Sequence, residues 1–101
     1  MRKKVQSTNG EAELLKERNH LAYCKYMFNE FLEDDGRRTT DATVTLMREG
    51  LRDEEFKKLT LYFVFNRGEI YNLRFPDGSS RRVSMVEFNA FSAEGKIQFA
   101  V

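Results

Sequence analysis

Six glycines, at positions 10, 36, 50, 68, 78 and 95, divide the chain, and each falls where the hydrophobic pattern changes character. Residues that tolerate positive φ mark caps and turns in this way. Between Gly10 and Gly36, Leu14, Leu21, Cys24, Phe28 and Phe31 recur at steps of 7, 3, 4 and 3, with charges at Glu13, Lys16, Glu17 and Lys25 between them. That spacing predicts one long amphipathic helix with Gly36 just past its end. Glu33, Asp34 and Asp35 would then place negative charge at the negative end of the helix dipole, which is unfavourable.

Residues 37 to 58 admit two readings. Thr40 or Asp41 would cap a short second helix carrying Val44, Met47 and Leu51, whereas Ala42 to Leu46 alternates like an extra strand; either falls within 41–57. Asp53 to Lys58 reads as a helical turn with acids first and bases last. From Leu59 the period becomes two. Leu59, Leu61, Phe63 and Phe65 alternate, a turn follows at 66–69, and Tyr71, Leu73 and Phe75 alternate again, which predicts a hairpin. Pro76-Asp77-Gly78-Ser79 is a strong turn signal. The third strand runs to about Phe91 with a bulge near Val86, where the inward set switches from Val83 and Met85 to Val86, Phe88 and Ala90. Ser92 to Gly95 turns the chain into a last strand with Ile97, Phe99 and Val101 on one face. The expected fold is therefore α+β: a long N-terminal amphipathic helix packed on a curved four-stranded antiparallel β-meander.

With 101 residues, one domain is expected, spanning 11–101 behind a disordered basic tail at 1–10, and folding would bury about 65% of the unfolded surface. The 17 Lys+Arg balance 16 Asp+Glu, which argues against a chain built chiefly to neutralise nucleic-acid phosphates. Cys24 is the single cysteine, and no glycosylation sequon is present, so a reducing cytoplasmic compartment, or a host-cell interior for a viral protein, is expected. The basic start has no apolar run behind it, and the longest apolar stretch, Leu61 to Phe65, is far short of a membrane span.

Chemistry-bearing patterns are sparse. His20 and Cys24 stand four apart, but a structural zinc site needs four ligands and the chain has no other Cys or His. A buried structural Cys24 beside a partly exposed His20 is the expectation. The acids Glu33, Asp34, Asp35 and Asp41 lack the spacing of a calcium loop. No metal, cofactor or catalytic constellation is expected. Arg81-Arg82-Val83-Ser84 has the form of a basophilic kinase site but falls at the start of a strand.

Arg81 to Phe88 resembles the strand motif of RNA-recognition domains, but Val83 and Met85 stand where the stacking aromatics belong and Arg82 replaces the glycine. Asp77 to Phe91, with Gly95-Lys96-Ile97, is similar to the last two strands of cone-shaped folds of the nuclear-transport-factor-2 and cystatin-like type. That resemblance covers about a quarter of the chain. It implies a concave sheet with the helix across its mouth, and a pocket or dimer face within it.

Tyr23, Tyr26 and Met27 widen the apolar arc of the first segment beyond what one sheet face covers, and Glu30, Asp34 and Asp35 follow them. These six residues form the expected partner surface. Together with a C-terminal strand expected to leave an open edge, they point to a small non-enzymatic interaction protein, a regulator, inhibitor or adaptor of the kind phages, viruses and mobile elements encode, working as a homodimer or on another protein. Tyr62, Arg67, Arg74, Arg81, Arg82 and Lys96 define the alternative, a sheet face holding single-stranded nucleic acid or an acidic partner. Ligand binding or lyase chemistry in a cone-shaped pocket, with Asn72 and Asn89 as its polar groups, is the second alternative.

Overall fold

A computed structural model describes residues 2–100. The chain forms β1 (Lys3–Lys16), β2 (Asn19–Leu32), β3 (Arg38–Leu46), α1 (Asp53–Phe65), β4 (Ile70–Arg74), β5 (Ser80–Asn89) and β6 (Glu94–Phe99). The six strands close into an antiparallel barrel in the order β1-β2-β3-β6-β5-β4. The expected long helix on a four-stranded meander is thereby overturned, as are the α+β class and the cone-shaped roll. Gly10 and the residues from Lys3 onward, read as part of a tail, lie in β1. Met1 and Val101 lie outside the described residues.

The first hairpin explains the error. Along β2, Ala22 and Cys24 are buried and Tyr26 and Phe28 half-buried, a period-two set that the helical steps through Leu21 and Phe31 conceal. The two long strands join through Glu17-Arg18 alone, with Lys16 opposite Asn19. Glu17 takes φ 58 at the first loop position, a geometry usually signalled by Gly or Asn. Gly36, expected to end a helix, instead takes φ 87 in the β2–β3 turn, which Glu33 closes by donating its N–H to the carbonyl of Arg37 at 2.8 Å. Residues 38–46 resolve the open choice in favour of a strand.

The segment from Leu59 to Phe65 is the converse case. Its alternation predicts a strand, but Phe56, Thr60 and Phe63 follow helical spacing, and all three are buried. Acids fill the first turn of α1, and the Glu55 carboxylate accepts the backbone N–H of Arg52 at 3.2 Å, which caps the helix. Phe63 seals one end of the barrel, its ring 5.3 Å from Tyr71 and 5.2 Å from Phe88. The opposite mouth is filled by Tyr26, Phe28, Phe75 and Phe99 in mutual ring contact, with the Arg81 guanidinium 3.8 Å above the Phe99 ring.

The later hairpins follow expectation more closely. Gly78 takes φ 88 in the β4–β5 turn, and Asp77 accepts the Ser79 N–H at 2.9 Å. The β5–β6 register shifts between Met85 and Glu87, the bulge expected near Val86. Gly95 lies inside β6 rather than in the turn before it; a Cβ there would sit 2.3 Å from the Met85 sulfur. The C-terminal strand has no open edge, since β6 pairs with β3 on one side and β5 on the other.

Phe63→Ala is expected to cost about 3–5 kcal/mol in urea unfolding, because it empties the seal of the barrel. Phe65→Ala, at a side chain 79% exposed, should stay within about 0.5 kcal/mol. Equal losses at the two positions would refute the helical arrangement of this segment.

Candidate functional site

Only part of each long strand belongs to the barrel wall. β1 meets β4 through Glu13, Leu14 and Leu15 alone, and β3 meets β6 through Ala42 to Thr45. Beyond those contacts, the first half of β1, the second half of β2 and the first residues of β3 continue as a three-stranded arm. Lys3 to Asn9 are exposed, on both faces of the sheet. The molecule is accordingly elongated, 45 × 29 × 22 Å.

The arm and the barrel wall share an outer face that curves into a groove of about 910 Å³. Lys25 and Met27 from β2, Asp41 and Thr43 from β3, and Lys96 and Gln98 from β6 line it. They meet because the β2–β3 and β3–β6 registers place Met27 opposite Thr43 and Thr43 opposite Lys96. A smaller notch of about 600 Å³ marks the point where β1 leaves β4, between Glu11 and Glu13 on one side and Phe75 and Pro76 on the other. A third depression, beside Val64 and Arg67, carries the fully exposed Phe91 on a turn held by Asn89, whose Oδ1 accepts the Phe91 N–H at 2.9 Å.

The residues expected to form a partner surface separate. Tyr23 and Met27 are exposed on the outer face of β2, at the notch and the groove respectively. Tyr26 turns inward to the aromatic mouth, where Gly10 leaves room for it: a Cβ on Gly10 would lie 2.8 Å from the tyrosine oxygen. Glu30 points to the inner face of the arm, and Asp34 and Asp35 lie in the turn at its tip, interleaved with arginine: Arg37 Nε donates to Asp35 at 2.6 Å. The alternative basic surface is not assembled on one face. Arg74, Arg82 and Lys96 lie on the outer wall, Arg81 sits at the aromatic mouth, and Tyr62 and Arg67 are at the helix-sealed end. Asn72 donates Nδ2–H to the carbonyl of Glu17, and Asn89 holds the β5–β6 turn beside the third depression, so the two do not converge on one pocket.

One cluster of titratable groups does converge. Lys16 Nζ donates to Tyr62 Oη at 2.6 Å and to Glu69 Oε2 at 2.9 Å; the same carboxylate oxygen accepts the hydroxyls of Tyr62 at 2.5 Å and Tyr71 at 3.1 Å. The Tyr62 hydroxyl and then Lys16 hold the Glu69 carboxyl below the usual carboxylate range, while Tyr62 and then Glu69 raise Lys16. Burial, with the negative charge beside it, pushes Tyr71 up. The cluster ties the end of β1 to α1 and to the start of β4, so it fastens the helix onto the barrel. His20 Nδ1 lies 2.6 Å from Glu13 Oε2, and this contact, ahead of Arg74, lowers the Glu13 carboxyl. Cys24 is buried, as expected, though on a strand, and desolvation pushes its thiol up to about 12. Among the described residues, no group of three or more His, Cys, Asp or Glu is placed to hold a metal ion. No described helix is long and apolar enough to cross a membrane.

No family model, curated protein or solved structure matches the chain. The features that sequence reasoning missed, the polar half of β1 and the groove-lining threonines of β3, carry a signal only once these segments are known to be strands: Lys3 to Asn9 has no apolar alternation, and that marks a strand without a core face.

Glu69 stabilises the fold above its unfolded pKa of about 4.3, and the contribution disappears as pH falls through the lower folded value. The melting temperature of Glu69→Gln should therefore lie below wild type near pH 7, with the gap closing as pH drops below about 5; a constant gap would exclude the carboxylate as the cause. Native Cys24 should resist iodoacetamide at pH 8 and react once urea unfolds the chain. Rapid alkylation of the folded protein would contradict its burial.

Proposed function

We propose that the chain is a non-enzymatic protein-interaction module that works as a homodimer. The observation that carries this reading is the three-stranded arm. A sheet is stabilised by packing a face against another layer, and small sheets without such cover are marginal. The distal arm has no second layer among the described residues, while Val5, Met27 and Leu32 along it are 40%, 44% and 37% exposed. A second protein surface supplies what is missing.

The concavities favour the same conclusion. The groove of about 910 Å³ is open and of mixed charge on the outer wall, unlike the enclosed apolar pockets with convergent polar groups that bind small molecules. The barrel interior is occupied by Phe63 from one end and by the aromatic rings from the other. A reducing compartment such as the cytoplasm suits the lone thiol of Cys24.

Light scattering on a size-exclusion eluate, over a concentration series, should give twice the 11.9 kDa chain mass. A monomer at every concentration, with no partner protein engaged, would overturn the proposal.

A further inference from the structure

We propose that β1 pairs edge to edge with β1 of a second copy, antiparallel about a twofold axis at Thr8, so that Lys4 of each chain lies opposite Glu11 of the other. The inference rests on the homodimer reading and specifies its surface. β1 is bonded to β2 along its whole length, but on its other side β4 covers only Glu13 to Leu15. From Lys3 to Ala12 no strand among the described residues occupies that edge. A row of backbone donors and acceptors on an uncovered edge is a template for another strand.

The edge is selective about which strand it accepts. Lysines and a bulge on an edge strand discourage indiscriminate pairing, and this edge has both: Lys3 and Lys4 stand at its start, and the β1–β2 register shifts between Lys4 and Gln6, leaving Val5 as the extra residue. A partner strand must bring acid to the lysine end. β1 itself does so when reversed, being basic at Lys3 and Lys4 and acidic at Glu11. Among the described residues none of these three has an ion-pair partner, whereas Arg2, Glu13 and Lys16 nearby are all paired.

The bulge also fixes the register. Across β2, Ser7, Asn9 and Glu11 stand opposite Asn29, Met27 and Lys25, and Lys4 opposite Phe31, so Lys4 shares the outer face with Glu11 because Val5 is the extra residue. Two antiparallel strands related by a twofold axis normal to the sheet keep their faces, so directly opposed residues must lie on one face. With Thr8 on the axis and Val5 unmatched in each strand, Ser7 meets Asn9, Gln6 meets Gly10, and Lys4 meets Glu11. Lys3 then arrives opposite Ala12, at the notch beside Phe75 and Pro76 where β4 takes over the edge. The uncovered length of β1 and the length this pairing needs are the same, and the two arms join as one six-stranded sheet.

The test uses the full chain. Sedimentation equilibrium should show Lys4→Glu and Glu11→Lys each weakening dimerisation by about tenfold or more, since each change turns two attractive cross-strand pairs per dimer into repulsive ones. The double variant Lys4→Glu/Glu11→Lys should recover wild-type affinity, and so should a mixture of the two single variants, which restores opposite charges at both contacts. Thr8→Cys, treated with a short bismaleimide, should give a covalent dimer, and Glu54→Cys on the exposed start of α1 should not. A dimer whose affinity ignores both charge changes, and which Thr8→Cys fails to cross-link, would overturn pairing through β1 while leaving the interaction reading intact. A monomer throughout would overturn both.

Discussion

The barrel closes across a seam of three residue pairs, Glu13, Leu14 and Leu15 of β1 against Arg74, Leu73 and Asn72 of β4, and the rest of the molecule depends on that short contact. Leu14 and Leu73, both fully buried, give it an apolar centre. On the outer side the Arg74 guanidinium grips the Glu13 carboxylate, and the Glu69 carboxylate with Lys16 and two tyrosine hydroxyls clamps the end of β1 against the start of β4. Partly exposed ion pairs contribute little energy singly. Here they also fix register, and a one-residue slip in β1 would turn Leu14 out of the core. The seam is short because β1 leaves the barrel at Ala12 and runs on into the arm.

Aromatic side chains fill the barrel at both ends. Six strands enclose little volume, and this interior is crowded: Gly10 exists to admit the Tyr26 ring and Gly95 to admit the Met85 sulfur. Phe63 occupies one mouth and four aromatic rings the other. The outer wall and the arm carry the exposed shape and charge, on strands that the packed interior holds in place.

The second half of the chain was legible because its turns carry their chemistry openly. Pro76 and Gly78 set a turn, and the switch of inward residues at Val86 announced a bulge. The first half was not legible, for two reasons that reside in particular residues. Leu14, Leu21, Cys24, Phe28 and Phe31 satisfy helical steps by coincidence, although Leu21 and Phe31 are only partly buried and the true inward set is Ala22, Cys24, Tyr26 and Phe28. The hairpin between β1 and β2 turns at Glu17, a residue that gives no warning of positive φ. With that turn invisible, two strands of fourteen residues read as one helix. The strand-like run at Leu59 was misread in the opposite sense, because Leu61 and Phe65 imitate alternation from exposed positions on α1. Of the surface residues inferred from the first helix, Tyr23 and Met27 are displayed on an outer face; Tyr26 was lost to the core once the period became two.

The arm and the barrel answer opposite demands within the same strands. The inner half of β1 alternates into the core, and its outer half has only polar side chains and Val5, so nothing hydrophobic holds that half against the barrel. Its order comes from the backbone ladder with β2, itself bonded to β3, and from Arg2, which lies 3.7 Å over the Phe31 ring and bridges Glu33 and Asp41. Such a strand is extended before any partner arrives, since the barrel has already met the entropic cost of straightening it. Affinity at an edge of this kind comes from backbone pairing, which is indifferent to sequence, so discrimination must come from the charges at its two ends. The near-zero net charge of the chain is in this sense uninformative: what matters is that the basic and acidic residues of β1 are separated along one strand, and separation along an antiparallel edge is the arrangement that a strand can satisfy with its own copy.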